Sequence, residues 1–424
     1  MIFDRQLNTS LKKLKEVTLT YKPDVIGISA MTSQSYDAKL IMKKVREWMP
    51  NIIIIVGGVH FTAEPQDGLD YGADYVFRGE GEKSLLDFMN NGPPKDNKII
   101  WGEPLENLND IPNLTMDDVK PYIEMLRWGP IYYFVLIGSR GCPYNCNFCL
   151  GKDQRPKGIR YHSIERIIDF ISQIVEKFDV HIFGFYDDIF VMKNSRVREF
   201  CEKIKKEFSI PLKFECFTHV GHGNSELYRI MHQSGFTRMS FGVEHGNDRI
   251  LSIMDKNITI AKIKETCRQI YKAGIKLHLT YVLGNITETN ETITETVNFA
   301  IYLHNKYKAR SYISFMQPLP GAPIYKVAEQ YGYYLPKKRI FQNIDLSYIP
   351  FNVSVKHMIK ERKRGMIMGN YYGLLRSYKM IKFIHFLRIK TKNIWGKKIL
   401  IKRINKIALI LEALGRYTSK DKNK

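Results

Sequence analysis

Cys142, Cys146 and Cys149 fall within one short run, Cys-Pro-Tyr-Asn-Cys-Asn-Phe-Cys. Three thiolates at that spacing can wrap one metal centre from a single loop, and thiolates are soft ligands suited to iron–sulfur clusters or zinc. A closed structural zinc site takes four ligands, commonly with a second pair further along the chain. The remaining cysteines, Cys201, Cys216 and Cys267, are single and scattered, as ordinary buried thiols are. Three ligands leave a coordination position open, and an open position is where a metal centre does chemistry. The alternative is a structural zinc completed by a nearby histidine such as His162.

The elements around this loop alternate. Val25–Ser29, Asn51–Val56 and Asp74–Phe77 read as short strands, with helical spacing over Tyr36–Trp48. That pitch predicts a parallel sheet with helical crossovers. A stretch rich in Pro, Gly and Asn over 91–130 reads as a linker. From Tyr132 the alternation resumes, with strands predicted at 132–138, 181–186, 212–218, 238–243, 276–283 and 311–316. Ser163 and Arg166 mark a helix start, followed by buried positions at Ile164, Ile167, Ile168 and Ile171. Six βα units fit a partial barrel, whose chemistry sits at the C-terminal ends of the strands. The cysteine run follows the first of those strands.

The Cys-x3-Cys-x2-Cys spacing, with the aromatic Phe148 just before the last cysteine, resembles the signature of the radical S-adenosylmethionine (SAM) superfamily. The resemblance implies that Cys142, Cys146 and Cys149 hold a [4Fe–4S] cluster whose fourth iron is chelated by the amino and carboxylate groups of SAM. One electron then cleaves the sulfonium bond to methionine and a 5′-deoxyadenosyl radical. Gly184-Phe-Tyr-Asp-Asp188 ends the second strand, where the family places acceptors for the SAM ammonium; Asp187 or Asp188 takes that role. Phe241-Gly-Val-Glu-His-Gly246 looks like the family's Gly-Val-Glu motif, with Glu244 reaching SAM. Leu283-Gly-Asn-Ile-Thr-Glu288 resembles a Gly-x-Pro-x-Glu turn near the adenine, bringing in Gly284 and Glu288, with Ile286 in place of the usual proline. Gln317-Pro-Leu-Pro-Gly-Ala-Pro323 follows the sixth strand, as a Pro/Gly loop does in relatives.

Residues 1–90 resemble the cobalamin-binding domain that precedes the barrel in one radical SAM subfamily. Ser29-Ala-Met31, the Gly57-Gly58 pair, Gly-Gly-Val-His60 and Arg-Gly-Glu-Gly-Glu82 occur in the order of its loops. Small residues at strand ends let a large cofactor approach the backbone, which makes Ser29, Gly57 and Gly58 the candidate cobalamin contacts. The opening strand and helix of that domain have no counterpart ahead of Met1–Asn8, and the Asp-x-His-x-x-Gly motif that supplies a cobalt ligand in some relatives is absent. Either the chain starts late or the domain is a remnant, and the sequence leans against cobalamin. His60 reads as a loop hydrogen-bonding residue in preference to a cobalt ligand.

Charge separates the C-terminal part from the rest. The formal net charge is +22, of which residues 351–424 contribute +17. Such an imbalance points to a polyanionic partner for that segment alone. Leu400, Ile404, Ile407, Leu411 and Leu414 form an apolar stripe opposite Lys398, Lys402 and Lys406. A basic amphipathic helix of this kind packs on the barrel or lies on an anionic membrane surface; interleaved aromatics also suit nucleic acid, the lesser functional reading. No apolar run reaches the roughly 18 residues of a membrane span, and no export signal stands at Met1–Ser10, so a reducing, cytoplasmic setting with a peripheral membrane option is expected.

The sequence therefore predicts an α/β protein: a truncated flavodoxin-like, cobalamin-type Rossmann domain (1–90), a linker (91–130), a (βα)6 partial TIM barrel (131–325) and a basic helical region (326–424). Its expected activity is reductive cleavage of SAM for methylation or rearrangement of a small-molecule substrate that is lipid-like, a tetrapyrrole or a secondary metabolite. A reductant such as flavodoxin or ferredoxin would serve it. The rivals are a radical SAM enzyme modifying tRNA and a non-catalytic metal-binding or scaffold protein.

Overall fold

The computed structural model describes residues 2–5, 10–94, 96–125, 127–128, 131–150, 158–334 and 346–369. The predicted helix at 397–415 lies outside the described residues.

Two parallel sheets carry the fold. The first holds β1 (Val25–Ser29), β2 (Ile53–Gly57), β3 (Tyr75–Gly79) and β4 (Ile99–Gly102), hydrogen-bonded in that order. Each pairing is parallel. Ile54 and Val56 of β2 and Val76 of β3 pack with Ala38, Ile41, Met42 and Val45 of the helix Ser35–Trp48, whose apolar positions recur at three- and four-residue steps. The stretch expected to be a linker contains β4, so the first sheet extends past residue 90. A short apolar strand, Ile-Ile-Trp-Gly, sits there among turn-forming residues that mask it in the sequence. A helix at Met116–Met125 follows.

The second sheet runs β13-β12-β11-β10-β9-β6-β5. Six strands are parallel: β6 (Ile131–Leu136), β9 (Ile182–Phe185), β10 (Lys213–Thr218), β11 (Phe236–Glu244), β12 (Lys276–Leu283) and β13 (Arg310–Phe315). These are the six predicted strands, shifted at their ends by a residue or two. The short strand β5 (Arg127–Trp128) adds an antiparallel edge. Ser139–Arg140 (β7) and Arg160–Tyr161 (β8) form a separate two-residue ribbon flanking the cysteine loop.

Alternate residues of the six strands face the helices. Phe183, Phe214, Met239, Leu277 and Ile313 are buried among Ile167, Ile171, Phe200, Leu227, Ile263 and Val297 of those helices. The helix Ile164–Phe178 starts where the sequence predicts, Ser163 Oγ accepting the Arg166 N–H. After β13, a helix at Val355–Met368 returns to the sheet edge. Its Met358 lies buried in the same core, and Gly365 packs so close to Ile313 that a Cβ there would stand 2.3 Å from Cδ1. Among the described residues, no helix is long and apolar enough to cross a membrane.

The two sheets are joined by a charge lock. Glu80, in the loop after β3, accepts from Arg160 Nη1 at 2.9 Å and also pairs with Arg160 Nη2. Arg140 reaches Glu80 at 3.3 Å and Glu82 at 2.7 Å. Arg160 and Glu80 are about nine-tenths buried. Burial works to raise the Glu80 carboxyl, but Arg160 and Arg140 outweigh it and hold it below its ordinary value. The lock is thus complete above the ordinary carboxylate range and weakens as pH falls through the lowered folded value. Glu80→Ala leaves the buried Arg160 guanidinium without its carboxylate, Arg140 keeping Glu82, and is expected to cost about 3–5 kcal/mol at pH 7, read by denaturant unfolding. The loss shrinks at acid pH, where the wild-type carboxylate is itself protonated.

Candidate functional site

The cysteine loop is fastened by one asparagine to the end of the helix Asp248–Ile253 and to the turn Pro323–Lys326. Asn147 donates its backbone N–H to Met254 O at 3.1 Å and its amide to Ile253 O at 2.5 Å, while its carbonyl accepts from Ile324 N–H at 2.8 Å. Cys146 is buried, Cys142 half-buried and Cys149 exposed. Burial pushes the Cys146 thiol up to about 11, with Lys256 pulling the other way. Among the described residues, no three Cys, His, Asp or Glu side chains converge on a single ion site. A polynuclear cluster does not need such convergence, because each thiolate takes an iron of its own. His162 sits half-buried beside Arg166, Arg140 and Arg196, which together with burial push it down to about 4.

Glu244 ends β11 with φ +63, after a break in register between Gly242 and Glu244. A bulge with a left-handed residue re-aims the side chain at a strand terminus. Its Oε1 lies 2.9 Å from Lys256 Nζ, both side chains about nine-tenths buried. Gly242 makes this possible, since a Cβ there would fall 1.8 Å from Glu244 Oε1. Burial works to discharge Lys256, but Glu244 and the Cys146 and Cys149 thiols outweigh it and raise its pKa. The ammonium also stands 5.9 Å from the Phe148 ring centre. A fixed positive charge therefore sits between the cysteine loop and the Glu244 carboxylate. Sequence reasoning missed Lys256, which reads as one more loop lysine in Asp-Lys-Asn.

A second group missed in the sequence lies on the same loop. Tyr144 stacks on His219, with ring centres 4.0 Å apart, and its hydroxyl meets His222 Nε2 at 2.7 Å. Burial, with Lys256 nearby, pushes His219 down to about 3, and burial also lowers His222. The His219 ring is neutral at ordinary pH.

Other predicted residues turn inward. Asp187 accepts from Gly138 N–H at 2.8 Å and Ser139 Oγ at 2.5 Å, so both oxygens are engaged in fixing the approach to Cys142. Asp188, beside it, is half-buried. Glu288 accepts from Gly284 N–H at 2.5 Å and Asn285 N–H at 3.0 Å, and His245 Nε2 stands 2.5 Å from its other oxygen. Glu288 and His245 are fully buried, so Glu288 closes its own turn. Gly284 has φ +88, the left-handed conformation that turn requires.

In the first domain, Ser29 is exposed at the end of β1 and Gly57 ends β2. Gly58 (φ +88) approaches so closely that a Cβ would stand 2.7 Å from Ser29 Oγ. Ser29 and Ala30 open on a cavity of about 920 Å³ that runs along β1, walled by Ile26, Ile28 and Ile41. Small strand-end residues beside a cavity of this size, lined by Asp4, Arg5 and Asp37 as well as by the isoleucines, fit a large cofactor with both polar and apolar parts. His60 is buried in the short helix Val59–Ala63, with Nε2 3.2 Å from Asp67 Oδ2. The loops of this domain face the cysteine loop: a Cβ on Gly321 would stand 2.8 Å from Ala63 Cβ and 3.2 Å from Leu150.

Comparison with known proteins follows the same division. The family model of the Radical SAM superfamily matches residues 136–300, and that of the B12 binding domain matches residues 2–88. The second match corrects the lean against cobalamin. The chain is 28% identical to an uncharacterized methyltransferase of Pyrococcus horikoshii, over 74% of this chain and 71% of that protein. It is 25% identical to the anaerobic magnesium-protoporphyrin IX monomethyl ester cyclase of Cereibacter sphaeroides, over 69% of this chain and about half (51%) of the cyclase. In fold it is similar to the cobalamin-dependent SAM radical enzyme OxsB, with a TM-score of 0.71 at 18% identity, over 99% of this chain and 68% of that one. Residues 136–300 are thus a radical SAM domain, with a B12-binding domain ahead of it over residues 2–88.

Proposed function

We propose that this enzyme cleaves SAM reductively at a [4Fe–4S] cluster held by Cys142, Cys146 and Cys149, for methylation or rearrangement of a tetrapyrrole, lipid-like or related secondary-metabolite substrate. The methyltransferase and cyclase names of its relatives support that class of reaction. The six parallel strands are read as a (βα)6 partial barrel open at the cluster end. When bound, the cluster and SAM supply a 5′-deoxyadenosyl radical, and cobalamin supplies a methyl carrier. A small electron-transfer protein such as flavodoxin or ferredoxin supplies the electron.

The observation that carries this reading is the buried Lys256 between Glu244 and the cysteine loop. A cluster on three thiolates is anionic, and the SAM carboxylate is anionic too; a fixed ammonium offsets both. Glu244 and Asp188 offer carboxylates to the cationic amino group of SAM. Gly284 and the turn closed by Glu288 leave backbone available for the adenine. Tyr144, stacked on a neutral His219 and bonded to His222, holds its end of the cluster loop in place. In the first domain Ser29, Gly57 and Gly58 would hold cobalamin against the ends of β1 and β2.

Reconstituted without oxygen and reduced with dithionite, the wild type is expected to convert SAM to 5′-deoxyadenosine, detected by chromatography. Cys146→Ala is expected to lose cluster absorbance and that product together. Wild type that holds a full complement of iron and sulfide yet leaves SAM intact would overturn the reading. Lys256→Met is expected to lower the rate roughly 10–100-fold with iron content retained, the range seen when a group supporting a metal site is removed. Gly242→Ala, which displaces the Glu244 carboxylate, is expected to weaken SAM binding in equilibrium dialysis while leaving cluster content unchanged.

A further inference from the structure

We infer that the open edge of β1 receives one further strand, short and apolar, supplied by a partner protein. In a parallel sheet a residue turns its N–H and its carbonyl to the same side, and the sides alternate along the strand. The Ala30 N–H donates to Gly57 O, and Asp24 O accepts from the Ile53 N–H. Ile26 and Ile28, in step with them, face β2. Val25, Gly27 and Ser29 therefore turn their backbone groups to the other side. β1 ends the order of its sheet, and among the described residues no strand pairs with that side. Donors and acceptors at strand spacing are left there, with Gly27 and Ser29 exposed. Such an edge is a template for another strand.

The cavity beside β1 has the dimensions of that strand. It runs the whole length of β1, from Pro23 to Ala30, with Ile2, Phe3, Leu14 and Val17 in its apolar lining. A five-residue strand fills a slot roughly 17 Å long, 5 Å wide and 10 Å deep, on the order of 800 Å³. The cavity holds about 920 Å³. The proposed cobalamin contacts Ser29, Gly57 and Gly58 stand at one end of the slot. A strand along β1 and a cofactor at the strand ends are therefore neighbours.

The surface around the slot calls for a strand that comes with a body. Ile2, Tyr21 and Met89 line the slot and are 57–78% exposed. Leu85 and Leu86, one turn before Met89 on the helix Glu82–Asn91, are exposed as well. Residues three and four apart share a helix face, so the two leucines and Met89 make an apolar stripe that continues the rim of the slot. A contiguous apolar surface of this kind marks a protein interface. A cofactor in the slot would leave the stripe uncovered, whereas a partner that lends a strand covers both.

The test uses the full chain and a fluorescein-labelled peptide, Lys-Val-Ile-Val-Ile-Val-Lys. Its control is the same peptide N-methylated at the three central residues, which keeps side chains and charges but loses backbone donors. Anisotropy titration is expected to show saturable binding of the first peptide and about tenfold weaker binding of the second. Amide hydrogen exchange is expected to slow at Gly27 and Ser29 on binding and to stay unchanged at Ile26 and Ile28. Gly27→Pro removes a donor on the open side only and is expected to abolish binding. Extended by a short amphipathic helix with leucines on one face, the peptide is expected to bind about tenfold more tightly still, a gain that Leu86→Lys removes. Equal binding of the two peptides, or unchanged exchange at Gly27, would overturn the inference. Displacement of the peptide by hydroxocobalamin would do so too, since the slot would then be the cofactor's own. A dimer of the chain alone, with the Gly27 amide already protected, would overturn it in favour of pairing between two copies. No gain from the added helix would overturn the partner's body.

Discussion

The ion pair between Glu244 and Lys256 organises this molecule. Its two charges lie 2.9 Å apart and nearly out of water, where neither could stay ionised alone. The carboxylate gets there through a bulge and a left-handed residue at the end of β11. The ammonium gets there because its loop is pinned to the cysteine segment through Asn147, which binds Ile253 and Met254. Strand register, loop anchoring and thiol environment are therefore one problem. A shift in any of them separates charges that burial makes costly to separate.

The buried networks around the pair work as scaffolding. Asp187 spends both oxygens on Gly138 and Ser139, and Glu288 spends its own on Gly284, Asn285 and His245. A buried carboxylate that accepts two hydrogen bonds fixes the backbone around it more firmly than apolar packing does. Both sit at strand ends, where the chain leaves the regularity of the sheet and would otherwise be free to wander. Rigid strand ends are what a reactive centre needs, because positioning errors of an ångström are expensive in rate.

Much of this was legible in the residues themselves. The six strands show as apolar runs at regular intervals, and the three cysteines show by spacing alone. What stayed hidden was tertiary. Lys256 carries no local mark; only the fold buries it and gives it neighbours of opposite sign. Asp187 and Glu288 were read as groups offered to a ligand, because sequence shows a carboxylate at a strand end but not the donors that already claim it. Strand β4 was hidden by its brevity among turn-formers. Its pairing with β3 is a long-range contact that no local pattern announces.

Gly321 and Ala63 meet across the junction with no room for another methyl group. Two positions more than 250 residues apart in sequence are thereby bound to drift together. A bulkier residue at either one pries the halves open, unless its counterpart is already as small as an amino acid can be. Distant homologues that part company at one of these positions would be expected to hold their two halves at a different angle.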